Sequence, residues 1–417
     1  MSDLISKMRQ ARFSHRAGRL GEARAQCGDI LREAPRCVEA LFLQALIAAQ
    51  QGDFVASLAD YDRLICIEPT LADAYSNRGA ALAALNRWDE ALTNFDQAIS
   101  LRPDHPGAHF GRAILWLLHG DFARGWAEYE WRWQTSHGRS LQENRCFSQP
   151  RWLGQEDIAG KTILLYSETG LGDTLQFCRF AKSVRDLGAT VLLQVQAPLL
   201  ELLSQLDGVS QVVADTATPP PFDIHCPLLS LPLALKLQLA TIPSGRYIAA
   251  PPSKVTGWKT RMGGSAKPRI GLVWRGDARN PDDRKRSVSL AELLPHLPAG
   301  FQYWSLQKEL TESERALAAA YAGEFKLGQD MNFVETAALC ECLDLVISVD
   351  TSIAHLSAAL GQKTWILVPH NPDCRWLLDR ADSPWYSSVK LYRQGASHGW
   401  SGLLTEVAEN LARQFAR

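Results

Sequence analysis

The sequence predicts two kinds of structure in one chain: an all-α array of repeated helical hairpins, then an α/β region of two doubly wound halves. Three observations carry that expectation. Proline recurs at Pro35, Pro69 and Pro103, a period of 34 residues. From Thr162 onward the pattern changes to short, continuous apolar runs of strand length. These runs alternate with helical stretches in two blocks, one on each side of a proline-rich interval between Pro219 and Pro252.

The bulk numbers fit a globular chain. At 417 residues it is too long for one ordinary core and implies two or three domains. Apolar residues make up 46% and charged residues 21%, against disorder. Lys and Arg total 44 and Asp and Glu 45, so the net charge of −1 leaves no general footprint for nucleic acid or an anionic membrane. No window approaches the 18 apolar residues of a membrane span. Met1-Ser2-Asp3-Leu4 lacks the basic-then-apolar layout of a secretory signal. The nine cysteines are scattered, and Cys340 and Cys342 lack the spacing of a redox or zinc half-site. A cytoplasmic protein with reduced thiols is the expectation.

In the first third, Gly18, Gly52, Asn86 and Gly120 keep the proline period and mark turns between paired helices. Small or apolar positions follow in register at Ala23, Ser57, Ala91 and Gly125, and larger ones at Cys27, Tyr61, Phe95 and Tyr129. Small residues let two helices approach, the larger one fills the gap to the next unit, and proline closes the second helix. Gly79, Leu82, Ala91, Phe95, Ala98 and Pro103 supply nearly every signature position of one unit. The pattern resembles the tetratricopeptide repeat (TPR) family, with four repeats over residues 1–137. Such arrays bind extended protein segments in their concave face, so the resemblance implies a protein acceptor or partner there. The fourth unit departs by crowding Trp126, Tyr129, Trp131 and Trp133 into its second helix. These aromatics read as packing against the following domain, or else as an exposed peptide-binding patch. Residues 138–159 are polar, carry Pro150 and Gly154, and read as a surface linker.

The α/β region opens with the apolar strand Thr162–Tyr166, the loop Gly170-Leu171-Gly172-Asp173, a helix over 174–187 stopped by Gly188, and the strand Val191–Val195. The third glycine of a dinucleotide fingerprint is missing. A first lobe over 160–255 and a second over 256–395 follow from the restart at Ile270–Trp274. Strands at Tyr303–Leu306, Leu345–Val349 and Thr364–Val368 and helices at Thr311–Tyr321, Phe333–Leu343 and Ile353–Leu360 complete the second lobe. An amphipathic helix within 396–417 is expected to brace the lobes. Tandem α/β halves create a cleft at the carboxyl ends of their strands.

The loop Gly170-Leu171-Gly172-Asp173-Thr174 and the turn Ser348-Val349-Asp350-Thr351-Ser352-Ile353-Ala354-His355-Leu356 together resemble the family-9 glycosyltransferases, the heptosyltransferases and their relatives. The resemblance covers roughly residues 160–395 and implies the GT-B fold of two Rossmann-like lobes. The fold class is thus a TPR α-solenoid followed by a GT-B double-Rossmann module, similar to TPR-linked protein O-glycosyltransferases. It implies Asp173 as the catalytic base on the acceptor side. A carboxylate there also reads as a helix cap worth about 1 kcal/mol. On the nucleotide-sugar side, Gly170, Gly172, Asp350, Thr351, Ser352 and His355 are the implied binding residues. The strand-to-helix turn aims N–H groups and the positive helix end at a diphosphate. His355 reads equally as a structural residue. Many family members have glycine where Ser352 stands, and a side chain there narrows the phosphate approach. Arg275 and, by resemblance to TPR-linked enzymes, Gln307 and Lys308 sit at strand ends where cations neutralise a departing diphosphate. Arg284-Lys285-Arg286-Ser287 reads as a mobile rim loop or a solvated charge run. Arg375-Trp376, Asp379 and Trp385-Tyr386 fall where such enzymes close over the nucleoside, with Trp376 as core or as a base-stacking platform.

The expected function is an inverting, metal-independent glycosyltransferase without cofactor, acting on a nucleotide-diphosphate sugar and a protein acceptor. The alternative is a TPR scaffold with a degenerate sugar-nucleotide-binding module. A Rossmann oxidoreductase is disfavoured, because neither half has the full glycine fingerprint with its acidic partner.

Overall fold

The computed structural model describes residues 2–143, 147–277, 283–328, 331–396 and 399–416. They form two compact units, Met1–Cys146 and Phe147–Arg417.

The first unit is four helical hairpins: α1 (Ser2–Arg16) with α2 (Leu20–Glu33), α3 (Val38–Gln50) with α4 (Phe54–Ile67), α5 (Ala72–Ala84) with α6 (Trp88–Leu101), and α7 (Pro106–Leu118) with α8 (Phe122–Tyr129). The turn inside each hairpin needs one left-handed residue, and Gly18, Gly52, Asn86 and Gly120 supply it with φ of 74°, 81°, 57° and 80°. Asparagine tolerates this region better than other side chains, so Asn86 replaces glycine at modest cost. The prolines act on the residue before them. Ala34, Glu68 and Arg102 leave the helix with φ near −132° to −140°, because a following proline ring excludes the helical region. Phe95 shows why the signature pairs an aromatic with glycines. A Cβ on Gly79 would lie 2.8 Å from its ring, and one on Gly111 2.5 Å.

The fourth repeat shortens. After α8 come a 3₁₀ turn, Glu130–Gln134, and the helix α9 (Ser136–Glu143). Its aromatics find ring partners in their own hairpin. Trp131 stacks on His109 with centroids 4.0 Å apart, and Tyr129 tilts onto Phe110 at 5.5 Å. The segment expected as a surface linker is more ordered than its composition suggests. It starts inside α9, and residues 144–146 lie outside the described ones. Beyond them Trp152 and Ile158 are buried, and the Trp152 N–H bonds the His225 carbonyl at 2.8 Å.

The second unit holds two parallel sheets. In chain order its elements are β1 (Thr162–Tyr166), α10 (Leu171–Phe177), α11 (Ala181–Asp186), β2 (Thr190–Val195), α12 (Leu200–Leu203), β3 (Gln211–Ala214), β4 (Ile224–Pro227), α13 (Leu231–Ala234) and α14 (Pro252–Met262). Then come β5 (Arg269–Val273), α15 (Asp283–Arg286), α16 (Leu290–Leu293), β6 (Gln302–Ser305), α17 (Glu312–Ala320), β7 (Glu324–Lys326), α18 (Phe333–Cys340), β8 (Leu345–Val349), α19 (Ser352–Ala359), β9 (Thr364–Val368), β10 (Val389–Arg393) and α20 (Ser401–Gln414). The strand orders are β3-β2-β1-β4 and β10-β9-β8-β5-β6-β7. β1, β8 and β9 are fully or almost fully buried, as continuous apolar runs in a sheet covered on both faces require.

The last helix departs from expectation. Leu403, Leu404, Val407 and Leu411 join the core of the second sheet, with Ile270, Leu272 and Tyr392, so α20 covers its own lobe. It follows the edge strand β10 directly, and its apolar stripe closes over the nearest exposed face.

Candidate active site

An open parallel sheet binds ligands outside the carboxyl ends of its strands, where the connections diverge. The first sheet diverges between β1 and β4, the second between β5 and β8. A cleft of about 920 Å³ lies at those ends, lined from the loops after β1, β2, β5, β6, β8 and β9. All ten positions singled out from sequence line it: Gly170, Gly172, Asp173, Arg275, Gln307, Lys308, Asp350, Thr351, Ser352 and His355.

Asp173, in the first turn of α10, is heavily engaged. Its Oδ2 accepts from the Thr169 hydroxyl at 2.6 Å and from the Gly170 N–H at 3.1 Å. Its Oδ1 accepts from Arg375 Nη2 at 2.8 Å, across 202 residues of sequence. Burial alone would raise its pKa, but the Arg375 charge and these hydrogen bonds outweigh it and hold the carboxyl below the ordinary range. The carboxylate thus holds the N–H of Gly170, the residue that opens α10, and lines the cleft.

Gly172 acts through packing. A Cβ there would meet His355 Cδ2 at 3.0 Å and Ser352 Cα at 3.5 Å, so its absence lets α10 and α19 touch. The two helix starts, one from each lobe, form adjacent walls.

The second start is open. Thr351 makes no side-chain cap to α19, and Thr351, Ser352 and Ile353 line the cleft. The unused N–H groups of this turn present partial positive charge. Asp350 lies beside them, 8% exposed, with its Oδ1 3.7 Å from His355 Nε2. Burial opposes its ionisation, yet the nearby Arg375 charge keeps it ionised.

His355 has a defined tautomer. Arg375 Nη1 approaches Nε2 at 3.2 Å and can only donate, so Nε2 accepts and Nδ1 carries the proton toward Tyr386 Oη at 2.8 Å. Burial, then the Arg375 charge, lowers the His355 pKa against the pull of Asp350, which keeps it neutral. The Tyr247 hydroxyl donates to the Leu175 carbonyl at 2.7 Å, tying this region back to α10. Arg179 locks the same region, donating to Pro243 O at 3.1 Å, to Tyr247 Oη at 3.0 Å and to Trp385 O. Trp376 is fully buried and stacks on His355, so of its two readings the structure takes the core.

The cations differ in availability. Arg275 donates through Nε and Nη2 to both Glu314 oxygens at 2.8 and 3.0 Å, and to Glu309 O at 2.6 Å. Burial would raise the Glu314 pKa, but Arg275 and the Trp274 N–H at 2.7 Å bring it down to about 2. Arg275 is thus already neutralised, which its strand-end position did not reveal. Gln307 accepts from the Arg275 backbone N–H at 3.3 Å and orders this rim. Lys308 is exposed at the same rim. The cluster 284–287 begins as a helical turn, and its Arg286 reaches the cleft while pairing with Asp283 at 3.2 Å. Among the described residues no group of three or more His, Cys, Asp or Glu side chains is placed to hold a metal.

Sequence reasoning missed the central cation. Arg375 stood among residues closing over a nucleoside, with nothing local to connect it to Asp173.

Two parallel sheets with a cleft at their carboxyl ends, an acid on one wall and an uncapped helix start on the other, follow the helical repeats and are consistent with the GT-B fold of glycosyltransferases. The sequence comparisons agree. Residues 301–368 match glycosyltransferase family 9 (heptosyltransferase), and 15–74 and 72–105 match tetratricopeptide repeats, so the chain combines TPR repeats with a family-9 glycosyltransferase domain. It is 26% identical over 398 residues to Protein FlbA of Caulobacter vibrioides, covering 88% of this chain and 65% of that protein. Over 120 residues it is 32% identical to a tetratricopeptide repeat and J domain-containing co-chaperone of Cryptococcus neoformans, covering 29% of this chain and 22% of that protein. The chain thus spans less than two thirds of each of these relatives. A crystal structure of a tetratricopeptide repeat protein from Parabacteroides merdae aligns at 21% identity over 31% of this chain and 51% of that one, with a TM-score of 0.29. No described helix is long and apolar enough to cross a membrane.

Proposed function

We propose that the chain is an inverting, metal-independent glycosyltransferase that moves a sugar from a nucleotide-diphosphate sugar to a hydroxyl acceptor, with the TPR repeats recruiting a protein acceptor. The observation that carries this reading is the pairing, across one cleft, of the half-buried Asp173 carboxylate with an uncapped helix start. In the step itself the acceptor oxygen attacks the anomeric carbon, and a new C–O bond forms as the bond to the β-phosphate oxygen breaks. Asp173 takes the acceptor proton, and the electron pair leaves on the diphosphate. The N–H groups at Ser352 and Ile353, with Lys308 and Arg286 at the rim, stabilise that charge. Asp350 and neutral His355 offer an acceptor and a polar wall to sugar hydroxyls. Arg275, tied to Glu314, shapes the rim rather than carrying free charge.

One observation favours the scaffold alternative: Asp173 already accepts three hydrogen bonds, one of them from the Arg375 guanidinium, and a carboxylate so engaged is a weak base. Incubating the protein with UDP-, GDP-, ADP- and CMP-sugars and measuring free nucleotide separates the two. The transferase reading expects release from one donor, faster with cell lysate as acceptor source and lost in Asp173→Asn. Saturable binding without release would establish the scaffold instead.

A further inference from the structure

Arg375 sits among three carboxylates and a histidine. Its Nε bonds Asp373 Oδ1 at 2.8 Å, its Nη2 bonds Asp173 at 2.8 Å, and its Nη1 meets His355 at 3.2 Å. The Asp373 bond is local, within the turn Cys374–Trp376, and Asp373 also accepts the Arg375 backbone N–H at 3.0 Å. The other two reach outward, one to α10 of the first lobe and one to α19 of the second. The guanidinium therefore has a fixed heel and a head that spans both cleft walls. Resting on the transferase reading, we propose that Arg375 is a positioning residue that passes between two anions: it pairs with Asp173 until a nucleoside diphosphate arrives, then transfers to the diphosphate and frees Asp173 to accept the acceptor proton.

The charges support such an exchange. Asp173, Asp350 and Asp373 outnumber the guanidinium they surround, and His355 is neutral, so the anions compete for one cation. The Cys374 thiol, pushed up by burial, and the Tyr386 hydroxyl, also pushed up by burial, add no charge. A diphosphate at the start of α19 would lie beside His355, which the Nη1 end already touches. It carries more charge than one carboxylate and can accept both nitrogens of the fork. The exchange explains how a carboxylate paired with a guanidinium in this arrangement can still serve as a base.

Two measurements test it on the full chain: affinity for UDP, GDP and ADP by calorimetry, and the pH dependence of nucleotide release. Asp173→Asn removes the competitor and should tighten nucleoside-diphosphate binding about tenfold, within the usual range of coupling between sites. Arg375→Gln should weaken it by a similar factor. In the double variant the two effects should fail to add. The acid limb of kcat/KM reports the free protein, where Arg375 depresses the Asp173 pKa, so the limb should move to higher pH in Arg375→Gln. Arg375→Lys keeps a charge but loses the fork, and should fall between. That variant keeps the test readable if Arg375→Gln folds poorly, as does Asp173→Asn, which leaves the arginine in place. Unchanged or weaker binding in Asp173→Asn, or a fall in turnover for both arginine variants with no movement of the acid limb, overturns the proposal and leaves the transferase reading standing. A wild-type chain that binds no nucleoside diphosphate and releases no nucleotide overturns both.

Discussion

The two strand-to-helix turns that wall the cleft look alike in sequence and do opposite things. After β1, the turn into α10 carries its own acid: Asp173 bonds the Gly170 N–H and the Thr169 hydroxyl. After β8, the turn into α19 leaves its first N–H groups uncapped, while its own carboxylate, Asp350, stands aside next to His355. A helix start that already holds a carboxylate repels an added anion, whereas one with no acid in its first turn favours it. The glycines of the first turn, which resemble a phosphate loop, serve packing instead. Gly172 is small so that His355 can approach.

The contrast can be broken in order of expected effect. Asp173→Asn keeps the shape of the first turn and removes its charge; nucleotide release should fall by about 10²- to 10⁴-fold, the usual worth of a general base. A fall below threefold would mean that the first turn is only a cap. Ser352→Asp supplies the first turn of α19 with the acid it lacks. It should stabilise α19 by about 0.3–1 kcal/mol through the helix dipole, seen as an unchanged or raised Tm. The same change should weaken UDP, GDP or ADP binding by at least about tenfold, since the site then holds its own anion. Binding that survives this change would place the phosphates elsewhere. Gly172→Ala forces a methyl group to within 3.0 Å of His355 and should cost about 1–3 kcal/mol in urea denaturation. A loss under about 0.3 kcal/mol would show that the helices separate easily.

The smallest effect concerns pH. Glu314 has its folded pKa lowered to about 2 from an ordinary 4.5. A depressed carboxylate contributes stability that is complete above the unfolded value and lost as pH falls toward the folded one. Stability of the α/β unit should therefore drop between about pH 4.5 and 2, and Glu314→Gln should flatten that slope in denaturant titrations at successive pH values. His355 has the same sign: buried neutral, it loses stability as pH falls below the ordinary histidine range.

Much of this architecture was legible in the sequence where the signal is local and periodic. The 34-residue repeat located the left-handed turn residue of each of the four hairpins, including Asn86. Continuous apolar runs located β1, β2, β5, β8 and β9. Short or edge strands left weaker traces. β7 is Glu-Phe-Lys, too polar and brief to show a period, and β4 ends on Pro227 inside a stretch that reads as loop. That the ten positions share one cleft was legible because most of them came from motifs that resemble the family-9 enzymes and lie at strand ends. Their couplings were not. Asp173 with Arg375, Arg275 with Glu314 and Gly172 with His355 join residues far apart in the chain, and no local pattern encodes a partner that folding alone delivers.

The central claim is that the α19 turn holds phosphate while the α10 turn holds the base. A crystal structure of the chain with whichever of UDP, GDP or ADP it binds tests this most directly. The account predicts phosphate oxygens about 3 Å from the N–H groups of Ser352 and Ile353, with Asp173 facing open space for an acceptor. Phosphate seated on the Gly170–Asp173 turn, with the start of α19 bare, would contradict it.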